Sequence, residues 1–144
     1  MPNFSRRAAF VAVFALAGLA SAGAEEVSYS AKLDGAAETP PNTTKGAGAV
    51  QAQYDPATKK LAWTITYSGL TGPAVAAHFH GPAPAGTAAG VLVPITGSLD
   101  SPIKGSATLT DDQAKALTGG MMYFNIHTAE HKPGEIRGQL MTGM

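Results

Sequence analysis

The chain has 144 residues, ten Lys+Arg against ten Asp+Glu, no cysteine, 17 glycines and ten prolines. A balanced charge with no basic cluster argues against nucleic acid or an anionic membrane surface as partner. The missing cysteines exclude disulfides, thiolate metal sites and cysteine catalysis.

Residues 1–24 begin with Arg6-Arg7, continue through the apolar run AAFVAVFALAGLA and end in Ala22-Gly23-Ala24. A basic start, a short apolar stretch and a small-residue exit predict a secretory signal peptide over 1–24, with one domain over 25–144. The run is shorter than the ~20 apolar residues of a spanning helix, so no membrane span is expected once it is cleaved. Ser5-Arg6-Arg7 with Phe10 also has the form of a twin-arginine signal. Without Arg6 and Arg7 the exported part keeps eight Lys+Arg against ten Asp+Glu, a net charge near −2. The expected location is periplasmic or secreted.

The rest reads as short β segments between turn residues. Val27–Leu33 alternates polar and apolar. Gly35 to Gly48, with Thr39-Pro40-Pro41, reads as a loop, and its Asn42-Thr43-Thr44 has the form of a glycosylation sequon. Ala49–Tyr54 and Leu61–Tyr67 flank DPATKK, whose Asp55-Pro56 signals a turn. Further strands are expected over Val75–His80, Val91–Thr96, Ile103–Leu109, Met121–Thr128 and Glu135–Leu140. TDDQAKALTGG is the one helical segment, with Thr110 or Asp111 as cap and Gly119 as stop. Met141 to Met144 reads as a frayed end. The pattern predicts an all-β fold, an immunoglobulin-like or Greek-key β-sandwich or barrel of about seven or eight strands with one short helix.

A period of two sorts the side chains by face. Leu61, Trp63, Ile65 and Tyr67 share one face, and so do Val75, Ala77 and Phe79. Met122, Phe124, Ile126, Ile136 and Leu140 are likewise assigned to the core. The opposite, outward faces of three strands then hold His78, His80, Tyr123, Asn125, His127, Glu135, Arg137 and Gln139.

Side chains at i and i+2 on a strand point the same way, about 6.6–6.8 Å apart along the chain. Two imidazoles so placed can converge on one ion, since each needs a bond of about 2.0–2.1 Å. His78 and His80 have that spacing around Phe79, His127 offers a third nitrogen, and His131, in the turn TAEHKPGE, a fourth. Imidazole-only sets suit copper, zinc or nickel rather than calcium or magnesium. The plainer alternative is a set of solvated histidines on a polar strand face. The Ala/Gly/Pro stretch after His80 (GPAPAGTAAG) reads either as a flexible connection or as a lid without bulk that leaves the site open. Glu135 and Arg137 read as a cross-strand ion pair rather than as catalysts. No glycine-rich phosphate loop and no marked serine nucleophile appears.

Two segments, AHFHGPAPAGTAAGVLVPI and GGMMYFNIHTAEHKPGEIRGQL, resemble the halves of the CHRD domain, the module repeated in chordin. The matching positions are His78, His80, Gly81 and Pro82, then Leu117 and Gly120, then Tyr123, Asn125, His127 and Thr128, then Gly134 through Gln139. The resemblance spans roughly Val27 to Leu140 and implies an exported immunoglobulin-like β domain whose motif includes His78, His80 and His127. His131 departs from it, because relatives often carry Asn or an aromatic residue at that turn. The His-x-His strand is also similar to the copper strand of copper–zinc superoxide dismutase.

Three functions follow as expectations. The first is an exported protein holding or delivering one copper ion, with zinc the alternative, on His78, His80, His127 and His131. There Asn125, Glu135 and Arg137 would orient the imidazoles, and another exported protein is a possible partner. The second is a non-enzymatic interaction module without metal. The third is a dismutase-like copper enzyme, with Arg137 steering an anion to an open metal.

Overall fold

The structure, a computed structural model, describes residues 25–143, so the signal peptide expected over 1–24 lies outside the described residues. Nine strands and one helix follow the chain: β1 (Val27–Asp34), β2 (Ala47–Asp55), β3 (Lys60–Ser68), β4 (Ala74–His80), β5 (Val91–Pro94), β6 (Ile103–Thr108), α1 (Asp111–Thr118), β7 (Tyr123–Thr128), β8 (Ile136–Gln139) and β9 (Met141–Thr142). The strands form one antiparallel sheet in the order β5-β4-β7-β8-β1-β2-β3-β6, curled into a nearly closed barrel that is open between β5 and β6. No helix among the described residues is long and apolar enough to cross a membrane.

The elements form where the local chemistry allows. The β2–β3 hairpin turns at Asp55, whose carboxylate accepts from the Ala57 N–H at 2.8 Å, and at Lys59, which takes a φ of 59°. The helix is capped by Thr110, whose hydroxyl accepts from Gln113 N while the Gln113 side chain accepts from Thr110 N. That reciprocal box satisfies two of the helix's orphan donors. β5 ends at Pro94, two residues earlier than expected, although Ile95 N–H still donates to the Ala77 carbonyl at 3.0 Å.

The barrel interior holds Leu33, Val50, Leu61, Ile65, Phe79, Met122, Phe124, Ile126, Ile136 and Leu140, all fully buried. Trp63, Phe79 and Phe124 pack in a row with centroids 5.1 and 4.8 Å apart. Two expectations fail. Val75 is 58% exposed instead of inward, because a bulge between Ala74 and Ala76 inserts one extra residue against β7 and turns that side chain out. The expected frayed end is in part a strand, since Met141 and Thr142 pair with Ser30 and Tyr29.

Candidate metal centre

Strand register lays the outer face of β4, β7 and β8 out as a grid. His80 lies opposite Tyr123, which lies opposite Gln139; His78 lies opposite Asn125, which lies opposite Arg137. His127 sits one step along β7, across from Ala76. Directly opposed and diagonal side chains on one sheet face reach each other, and here they bring His78, His80 and His127 together. Their ring nitrogens lie within 4.8 Å of one another, a group able to hold a metal ion. Ring centroids are 5.2 Å apart for His78–His80, 5.0 Å for His78–His127 and 6.1 Å for His80–His127.

Hydrogen bonds fix the tautomers. His80 Nδ1 donates to the Ala89 carbonyl at 2.9 Å, and His127 Nδ1 donates to the Lys132 carbonyl at 2.8 Å. Each ring therefore presents a bare Nε2. His127 Nε2 accepts from His78 Nδ1 at 3.2 Å. His80 Nε2 is buried and has no partner among the described residues. Burial, then the neighbouring His127 and His80, lowers the His78 pKa. Burial also lowers that of His80, against the nearby Ala89 carbonyl and Asn125 amide, which raise it. These two rings are thus held neutral, the form that ligates metal.

His131 is not in this group. Its main-chain carbonyl accepts from Gly134 N at 3.0 Å and its N–H donates to Thr128 Oγ1 at 3.2 Å, so the residue shapes the turn that carries the Lys132 carbonyl.

The outward face of the grid is not solvated. Tyr123, Asn125, Glu135 and Arg137 are 3%, 3%, 0% and 1% exposed, because two loops cover them. The period of two assigned these residues to the right side of the sheet, but not to a second buried layer. The stretch after His80 is neither loose nor open. Its carbonyls at Pro84 and Thr87 accept from Arg137, that of Ala83 from Gln139, and that of Ala89 from His80 and the Tyr123 hydroxyl. Arg137 lies 3.4 Å over the Tyr123 ring, whose other neighbour is the parallel His80 ring at 4.9 Å. The guanidinium is committed to the lid and to Tyr123, so it is not available to steer an anion.

The Glu135–Arg137 ion pair is also absent. Glu135 accepts instead from Thr44 Oγ1 (2.8 Å), Thr71 N (3.0 Å), Thr71 Oγ1 (2.5 Å) and Thr128 Oγ1 (2.8 Å). Neither Glu135 nor Arg137 hydrogen-bonds an imidazole. The sequon residue Asn42 is used internally: its amide donates to the Glu135 carbonyl at 3.0 Å and its oxygen accepts from Thr44 N.

One buried acid went unnoticed in the sequence. Glu38, in the loop after β1, is 3% exposed, and burial raises its pKa to about 7 against the lowering influence of Thr39, Arg137 and Asn125. Gly134 makes room for it: φ there is 134°, and a Cβ would collide with the Glu38 carboxyl. Glu38 Oε1 is buried with no hydrogen-bond partner among the described residues. A raised acid pKa favours folding below its ordinary value near 4.5, and that contribution is lost as pH rises through about 7. The difference in unfolding free energy between wild type and Glu38→Gln should therefore fall by about 3 kcal/mol from pH 4.5 to about pH 8.5. Urea melts at the two pH values measure it, and parallel curves would remove Glu38 as a titrating group.

Comparison with known proteins yields one family. The CHRD domain family model matches residues 29–140, while no curated protein and no solved structure matches the chain.

Proposed function

The chain belongs to the CHRD domain family, and from that premise and the histidine geometry we propose an exported, periplasmic or secreted protein that holds one copper ion. His78 Nδ1, His80 Nε2 and His127 Nε2 are the ligands, with zinc the alternative ion and His131 left outside the set.

The observation that carries this reading is the partnerless buried Nε2 of His80, facing a His78–His127 pair with a 3.2 Å nitrogen separation. Two nitrogens each about 2.0–2.1 Å from one ion would lie roughly 2.9 Å apart in a square-planar set and roughly 3.3 Å apart in a tetrahedral one, and that pair falls between the two. Three imidazole ligands favour Cu(II) over zinc by the ordinary order of divalent affinities. The Ala89 and Lys132 carbonyls orient two of the rings, as outer-shell acceptors do in metal sites. His78 can carry its proton on Nε2 instead, which would leave Nδ1 free to bind. Copper would supply one-electron chemistry, but with Arg137 under the lid the chain's own residues are arranged for grip. Holding the ion, or passing it to another exported protein, fits them best. A metal-free interaction module would leave His80 Nε2 buried and unused.

Metal content is the test, measured by mass spectrometry on protein exported and purified without chelator or affinity tag. Near-stoichiometric copper in the wild type, absent from a protein carrying both His78→Ala and His80→Ala, is the expected result. A wild type that carries no metal, and that takes up no more added Cu(I), Cu(II) or Zn(II) than the doubly substituted protein does, would sink the reading.

A further inference from the structure

The barrel is open at one seam, between the edge strands β5 and β6. A cleft of about 290 Å³ runs along it, lined by Trp63, Val93, Pro94, Lys104, Gly105 and Ser106 among others. Trp63 is 8% exposed, and its Nε1 is buried with no hydrogen-bond partner among the described residues. Gly105, paired with Trp63 in register, lies directly against the indole: a Cβ there would come within 2.9 Å of Cζ2 and 3.0 Å of Nε1. A buried indole N–H ordinarily finds an acceptor, and one left without costs free energy.

The two edges are not equivalent. On β5, Pro94 has no N–H to offer, and the Leu92 carbonyl is occupied by Gln113 Nε2 at 2.7 Å. That edge is closed to further pairing. On β6, Leu109 N–H donates to the Lys59 carbonyl at 2.8 Å and Gly105 faces Trp63. Antiparallel alternation then turns the main-chain groups of Lys104 and Ser106 away from β3, into the seam. One edge therefore has unpaired donors and acceptors beside a cleft whose floor has an unpaired donor.

We propose that this seam binds an extended peptide segment of a partner protein. The segment adds to β6 along Lys104–Ser106 and places an acceptor-bearing side chain, such as asparagine, against Trp63 Nε1. Edge-strand addition supplies affinity through the main chain and specificity through alternate side chains. The cleft gives room for side chains rather than for a folded domain. The site is separate from the histidine group, so its fate does not depend on metal.

The chain has one tryptophan, so a single indole N–H resonance reports on the seam. The probe is the blocked pentapeptide acetyl-Val-Thr-Asn-Thr-Val-amide, titrated into the exported protein. Its controls are the near-isosteric peptide with leucine for asparagine and a form N-methylated at every amide. The expected result is a saturable shift of the indole resonance, binding about tenfold weaker for the leucine peptide, as one lost hydrogen bond implies, and none for the methylated one. Ser106→Pro should remove binding while leaving the peptide-free indole resonance in place. Should that substitution prevent folding, the methylated peptide makes the same test on unaltered protein. No shift with the asparagine peptide, or equal binding of all three, overturns the proposal. An indole shift that follows protein concentration without peptide overturns it too, in favour of a second copy as occupant.

Discussion

Alanine in place of Glu135 should lower the unfolding free energy by about 3–5 kcal/mol, enough to bring a domain of this size close to its stability margin. The carboxylate is fully buried, and no cation neutralises it: the ion pairs among the described residues are Lys32–Asp34 and Lys59–Asp111, both elsewhere. Its charge is held by donors alone, from Thr44 in the loop after β1, Thr71 between β3 and β4, and Thr128 at the end of β7. Removing it strands those donors and unties three segments from the start of β8 together. Burial pushes the Glu135 pKa up, but the hydrogen bonds from Thr71, Thr128 and Thr44 outweigh it and hold it below the usual carboxylate range. Its contribution is therefore present above the ordinary value near 4.5 and is lost as pH falls. Glu135→Gln keeps the shape and one acceptor, so its loss should be smaller. Denaturant unfolding followed by Trp63 fluorescence measures both. An alanine substitution within about 1 kcal/mol of wild type would show that the four donors find other acceptors.

His127→Ala should weaken Cu(II) binding by more than about 100-fold, beyond the 10–100-fold typical of changes to residues that only orient a ligand. His131→Ala should change it by no more than about twofold, because its ring is outside the group of three. The pair of substitutions separates a built site from general histidine affinity, since each removes one imidazole, His127 from β7 and His131 from the turn that follows it. His127 is only half-buried, so its loss should leave the unfolding midpoint nearly unchanged. Competition titration against a chelator of known affinity gives both constants. Equal losses from the two substitutions would overturn the assignment of copper to the group of three without His131.

Most of the sheet was legible because alternation is a local signal. Leu61, Trp63 and Ile65 declare a buried face whatever lies beyond them, and His78 and His80 share a face for the same reason. The third histidine was legible as another residue on a polar strand face, but that β4 and β7 are neighbours, with His127 one step from His78, is read only from the register. Alternation says which side of a sheet a residue takes but not what covers that side. Asn125, Glu135 and Arg137 were accordingly read as outward, and their burial depends on loops with no period at all. Glu38 was missed for that reason, since a lone glutamate in a Pro-rich loop carries no mark of its destination. The acceptors that orient His80 and His127 are main-chain carbonyls of Ala89 and Lys132, a group every residue possesses. Val75 was misplaced by a bulge, which breaks the count on which alternation depends.

The lid over the grid is held chiefly through main-chain atoms, at Ala83, Pro84, Thr87 and Ala89. Its side chains at Pro84, Ala85, Thr87 and Ala88 are exposed. Such a segment is free in spelling and strict in length. Substitutions at Ala85, Thr87 and Ala88 can accumulate with little effect. Deleting one residue would move the carbonyls out of reach of Arg137, Gln139, Tyr123 and His80 together, and the His80 ring would lose its alignment from a distance.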